Sequence, residues 1–160
     1  MAISVGDRIP DMTLTKATAD GPQPIQTGDY FAGRKVALFA VPGAFTPTCS
    51  ARHLPGYVEK ADELKAKGVD EVAAVSVNDV FVMGAWGEQG GADGKVTMLA
   101  DGNGDFVEAL GLAADFSKFG MGKRSQRWSA IVDDGVVAEL NVEEPGAFSV
   151  SSAEYMLGQL

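Results

Sequence analysis

Apolar positions along the chain fall into short continuous runs separated by stretches of helical period, so strands and helices are expected in turn. Lys35–Val41 is apolar after its lysine and rich in β-forming residues, which predicts a strand buried on both faces. From Pro47 to Lys67, Leu54, Tyr57, Val58, Ala61 and Leu64 recur at three- and four-residue steps. They predict one long helix, stopped at Gly68. Glu71–Val77 predicts a second buried strand, and Asn78 offers an N-cap to a helix through Phe81, Val82 and Trp86. Val96–Ala100 predicts a third strand. The turn Asp101-Gly102-Asn103-Gly104 then leads into a short helix over Asp105–Leu110. Trp128–Asp133 and Val136–Val142 flank Asp134-Gly135, a strong hairpin signal. Residues 11–35 alternate weakly around Gly21-Pro22 and Pro24 and predict an N-terminal hairpin or meander. Ser151–Leu160 predicts a terminal helix capped by Ser151 or Ser152.

Strands alternating with helices predict an α/β domain whose central sheet is flanked by helices on both faces. The Asp134-Gly135 hairpin makes that sheet mixed. A sheet ending in an antiparallel hairpin and a terminal helix fits a thioredoxin-like fold better than a doubly wound one. The chain shows no internal repeat and no linker, and its 160 residues predict a single domain over 1–160.

Composition narrows the function. With 46% hydrophobic and 22% charged residues the chain can form a globular core. Thirteen Lys and Arg against 22 Asp and Glu leave a net charge of −9, which argues against nucleic-acid partners. The longest apolar runs fall far short of the roughly 20 residues a membrane helix needs. The N-terminus has neither the basic start nor the apolar stretch of a signal peptide, so a cytoplasmic location is expected. Cys49 and His53 are the only cysteine and the only histidine. An intramolecular disulfide is excluded, and so is a four-ligand Cys/His zinc site within the chain.

A lone cysteine is most often a small buried apolar residue. The neighbours of Cys49 point elsewhere. Pro42-Gly43-Ala44-Phe45-Thr46-Pro47-Thr48-Cys49 leaves the first buried strand and opens the long helix. Thr46 suits the N-cap and Pro47 the first turn, so Cys49 is expected where free N–H groups and the helix dipole favour a thiolate. A free thiol needs about 2 kcal/mol of help to be half ionised at pH 7. A helix terminus typically supplies about 0.3–1 kcal/mol, so a nearby cation is wanted. The candidates are Arg52, His53 and an arginine distant in sequence. His53, four residues on, could instead pair with the thiol as in a cysteine hydrolase. A polar surface position or a supporting role is the plainer expectation for it.

Other signals are weak. Asp101-x-Asn103-x-Asp105 imitates a calcium loop, but Phe106 and Leu112 replace its glycine and glutamate. Gly120-x-Gly122 lacks the third glycine of a dinucleotide fingerprint, at Ser125. Lys118, Lys123, Arg124 and Arg127 form a basic cluster that reads as a solvated loop or as an attraction for anionic thiols.

Pro42, Thr46 and Cys49 match the Pro-x-x-x-Thr-x-x-Cys motif of peroxiredoxins. With His53-Leu54-Pro55-Gly56, Ser76-Val77-Asn78-Asp79, Arg127-Trp128-Ser129 and Ser151-Ser152-Ala153-Glu154, the chain resembles the type II (atypical) subfamily over essentially its whole length. The resemblance implies a thioredoxin-like fold and a peroxidase acting on hydrogen peroxide and alkyl hydroperoxides, with no metal, flavin or haem. It carries the family's active-site arginine onto Arg127, with Arg124 a rival by composition alone. Cys49 is then the nucleophile, Thr46 orients the peroxide, and Pro42 packs over the sulfur. Plant relatives carry a second cysteine where this chain has Ala74, and animal relatives one near Ser149-Val150-Ser151. A one-cysteine variant must therefore be recycled by an external thiol, with glutathione or glutaredoxin expected ahead of thioredoxin. The resemblance also implies a homodimer, for which Phe45, Phe81 and Phe119 are candidate contacts or core residues.

Overall fold

The computed structural model describes residues 2–160. Its centre is β3, Lys35–Val41, whose side chains alternate between two separate cores. Ala37, Phe39 and Val41 face one core, and Val36, Leu38 and Ala40 face the other. That two-sided burial is why the run is continuously apolar rather than alternating. β3 pairs in parallel with β4, Glu71–Ser76, and antiparallel with β8, Trp128–Asp133.

Seven strands form the sheet. β1, Thr13–Thr18, and β2, Gly21–Gln26, make the N-terminal hairpin at one edge. β1 lies antiparallel to β5, Thr97–Ala100, which is parallel to β4. β9, Val136–Val142, closes the other edge and pairs with β8 through the Asp134-Gly135 turn. Both turn residues have positive φ, 50° and 78°, as a tight hairpin requires. The order is β2-β1-β5-β4-β3-β8-β9. This is the mixed, thioredoxin-like sheet expected.

Helices cover both faces. α2, Leu54–Ala66, α3, Val80–Gln89, and α5, Ala153–Leu157, pack on the Phe39 side through Leu54, Tyr57, Ala61, Leu64, Met83, Trp86 and Met156. α1, Thr27–Phe31, and α4, Asp105–Ala109, pack on the Leu38 side through Tyr30, Phe31 and Phe106. Tyr57 stacks on Phe39 at 4.1 Å and 5°, a pair worth about 0.5–1.5 kcal/mol beyond its buried area.

Four local features differ from expectation. Helical backbone starts at Pro47 as expected, but Cys49–His53 forms one π-helical turn before α2. Pro55 has no N–H for the Ala51 carbonyl, and its ring crowds that carbonyl, so the helix widens just before it. Asp79, not Asn78, caps α3 by accepting from Val82 N. Residues 113–125 contain a small ribbon of β6, Ala113–Asp115, and β7, Lys123–Ser125, which had no sequence signal. The terminal helix is shorter than expected, and Ser152 is its cap.

Candidate active site

The segment from β3 into the π-turn is held by bonds from two side chains, Asn78 and Trp86. Asn78 Oδ1 accepts from Ala44 N at 3.0 Å and from Ser76 Oγ. Holding that loop is what removes Asn78 from the capping role. Trp86 Nε1 donates to Ser50 Oγ at 3.0 Å, tying α3 to the residue after Cys49. Arg124 donates from Nε to Met121 O and from Nη1 to Val77 O, so it ties the segment before β7 to the residue after β4. Phe45 sits at φ +66°, a left-handed conformation unusual for a bulky side chain.

Cys49 is fully buried at the head of this helix. Arg127 reaches it from 78 positions further along, between β7 and β8. Its Nη2 donates to Cys49 Sγ at 3.0 Å. Its Nη1 is 2.7 Å from His53 Nδ1. A guanidinium has only donors, so Nδ1 must be the acceptor. His53 therefore carries its proton on Nε2 and donates it to Ser151 O at 2.9 Å. The Tyr57 hydroxyl donates to the same carbonyl at 2.9 Å. Arg127 thus bridges thiol and imidazole, and a cationic donor at 3.0 Å stabilises negative charge on sulfur.

The other sequence candidates take different places. Arg52 is exposed, and its guanidinium lies 4.6 Å over the Phe148 ring. Arg124 is spent on two carbonyls. Lys123 pairs with Glu108 at 2.6 Å, so the basic cluster of the sequence does not act as one patch. Thr46 accepts Ser50 N at its carbonyl, as an N-cap does, but its hydroxyl turns back and donates to Gly43 O at 2.7 Å. Pro42 is half-buried directly after β3. Both carboxylate oxygens of Asp101 accept from the first N–H groups of α4, at Phe106 and Val107. Glu143, Ser151 and Phe148 also belong to the site's surroundings. Spacing could not reveal them, because their links run through backbone atoms and a ring face.

Burial is the main force on the His53 imidazole, and the Arg127 charge adds to it. Together they outweigh the Ser151 bond and the Glu143 charge and lower its pKa to about 3. An unfolded histidine titrates near 6.5. Between those values the unfolded chain binds a proton that the folded chain refuses, so stability falls as pH falls from about 6.5 to about 3. At pH 5 the loss is about 2 kcal/mol relative to pH 7. Urea unfolding at the two pH values measures it, and His53→Gln should remove most of the difference. A variant as acid-sensitive as the parent would discount this assignment.

The thioredoxin-like sheet thus presents a single buried thiol to a guanidinium. The Redoxin family model matches residues 4–157. Peroxiredoxin-2E-2, chloroplastic, of Oryza sativa subsp. japonica is 55% identical over 99% of this chain and 72% of its own length. Peroxiredoxin-2B of Arabidopsis thaliana is 48% identical over 99% of this chain and 98% of its own. Among solved structures, reduced Prx3 of Vibrio vulnificus in complex with hydrogen peroxide superposes with a TM-score of 0.94. It has 55% identity and 98% coverage of both chains. The chain belongs to the peroxiredoxins. It is a thiol peroxidase, an oxidoreductase that reduces peroxide at the expense of a thiol. Among the described residues no helix is long and apolar enough to cross a membrane.

Proposed function

We propose that Cys49 is the nucleophile of a one-cysteine peroxidase acting on hydrogen peroxide and alkyl hydroperoxides. The observation that carries this reading is the Arg127 Nη2 donor 3.0 Å from the Cys49 sulfur at the head of a helix. The thiolate attacks the terminal peroxide oxygen and a sulfur–oxygen bond forms as the oxygen–oxygen bond breaks. The leaving hydroxide or alkoxide takes up the proton lost by the thiol, giving sulfenic acid and water or an alcohol. Arg127 and the Cys49 N–H stabilise charge developing on the oxygens. The Thr46 proton is committed to Gly43 O, so its lone pairs remain to accept a peroxide O–H. Pro42 limits water at the sulfur. His53 is neutral with both nitrogens engaged, which disfavours a cysteine hydrolase, where it would have to take the thiol's proton.

The chain has no second cysteine, so an external thiol completes the cycle. One thiol displaces water from the sulfenic acid to give a mixed disulfide. A second thiol releases Cys49 and leaves as the oxidised disulfide. Glutathione with glutaredoxin is the favoured reductant and thioredoxin the second. The cytoplasm, where a glutathione pool is kept reduced, is the location proposed. Residues 1–160 act as one domain. A homodimer is proposed as well, supported by Phe45, Phe81 and Phe119, which are 46%, 73% and 69% exposed and not in the core. Peroxide consumption should be sustained faster by glutathione–glutaredoxin than by a thioredoxin system. With all thiols withheld it should stop after one equivalent per chain. Unlimited turnover without thiol would refute external recycling, and a faster thioredoxin system would reverse the choice of reductant.

A further inference from the structure

We propose that Glu143 is a positioning residue for this peroxidase, holding Arg127 on Cys49 from outside the site. The inference rests on the roles given above to Cys49 and Arg127. Glu143 follows β9 and is only 6% exposed. No cation pairs with its carboxylate among the described residues. Instead Oε2 accepts from Ser149 N at 2.7 Å, Val150 N at 2.9 Å, Ser151 N at 2.9 Å and Ser151 Oγ at 2.7 Å. Desolvation pushes this carboxyl's pKa up, but the bonds from Ser151, Ser149 and Val150 prevail and hold it below the ordinary carboxylate range.

An anion committed to one turn fixes that turn. The turn's carbonyl at Ser151 accepts the His53 Nε2 proton and so supports the tautomer that the Arg127 donor requires. The tautomer leaves Nδ1 free to accept from Arg127, whose other nitrogen meets the sulfur. The backbone of Glu143 completes the circuit, with its N–H donating to Arg127 O at 3.0 Å. One residue therefore holds Arg127 twice, at its main chain directly and at its guanidinium through Ser151 and His53. Phe148, in the same segment, packs 5.0 Å from the His53 ring and 5.8 Å from the Arg127 guanidinium. Displacement of a charged donor by about 1 Å can cost on the order of a hundredfold in rate, so a remote anchor has leverage.

The test is a double-mutant cycle on the single-turnover oxidation of Cys49 by hydrogen peroxide. Glu143→Gln should slow it roughly tenfold or more in the parent, and by less than about twofold in an Arg127→Gln background. Ser151→Ala removes one donor and keeps the carbonyl. It should show the same coupling at smaller size, and it carries the test if Glu143→Gln does not fold. His53 is the only histidine, so its two ring nitrogens are assignable by nitrogen NMR without further mutation. The parent should show one fixed Nε2–H tautomer and Glu143→Gln an averaged one. Equal losses in both backgrounds, no loss in the parent, or an unchanged tautomer would overturn the proposal. If Arg127→Gln alone costs nothing, the role assigned to Arg127 fails first, and the cycle shows that separately.

Discussion

Cys49→Ser is expected to reduce peroxide turnover to background while the chain stays folded. The residue is fully buried, and the change replaces one atom with a slightly smaller one. Serine can still accept the Arg127 donor, so the local bond pattern survives. What disappears is the chemistry. A hydroxyl is not ionised at neutral pH to any useful extent, and its oxygen cannot be oxidised by two electrons to a stable intermediate as sulfur can. No other residue can substitute, because the chain contains no second thiol. Stopped-flow peroxide consumption with saturating reductant measures the loss. Mass spectrometry after one equivalent of peroxide should show an oxygen adduct on Cys49 in the parent and none in the variant. Turnover within tenfold of the parent would remove Cys49 from the mechanism.

How far the molecule can be read in advance depends on whether the determinant is local. β3 was legible because burial on two faces leaves an unbroken apolar run. The β8–β9 hairpin was legible because Asp134-Gly135 accepts positive φ. The π-turn was not, since the apolar spacing of Leu54, Tyr57, Ala61 and Leu64 is the same with or without a widened turn before it. Its only trace was Pro55 inside the helical pattern. Asn78 and Asp79 are equally good caps by type, and the choice fell to Asp79 because Ala44, distant in sequence, uses Asn78. β6 and β7 are three residues each, too short to show a period. Of the proposed site, Cys49, Thr46, Pro42 and Arg127 rest on the family motif, and the structure joins Arg127 to Cys49, whereas the residues alone leave Arg52, His53 and Arg124 as rivals. A surface or supporting place is the plainer expectation for His53; it is in fact fully buried, with one ring nitrogen bonded to Ser151 O and the other to Arg127. Glu143 and Ser151 act through backbone donors and a carbonyl, so residue type carries no sign of them.

Arg127→Gln is expected to lower the second-order rate of Cys49 oxidation by two to three orders of magnitude. Arg127 stands just before β8, and Trp128 pairs with Ala40 in β3, so the arginine emerges beside the strand end that leads into the Cys49 loop. There its planar fork makes two bonds at once, 3.0 Å to sulfur and 2.7 Å to His53 Nδ1. A neutral amide can replace one donor but not the charge. One buried donor aimed at developing negative charge is worth about 10²–10³ in rate. Lysine restores the charge but not the fork, so Arg127→Lys should recover at most about tenfold. The two contributions of Arg127, favouring the thiolate and stabilising the oxygens, are separable. Alkylation by a neutral haloacetamide needs the thiolate but offers no oxygen–oxygen bond to polarise. Arg127→Gln should therefore slow alkylation much less than peroxide reduction. Equal slowing of both would confine Arg127 to thiolate stabilisation, and a peroxide rate within threefold of the parent would exclude it from the reaction. Circular dichroism of each variant guards against a folding defect. Loss of the side chain also frees His53 Nδ1, so the imidazole should titrate closer to its ordinary range in Arg127→Gln. That change, seen on the single histidine, would tie the rate loss to the guanidinium bridging both residues.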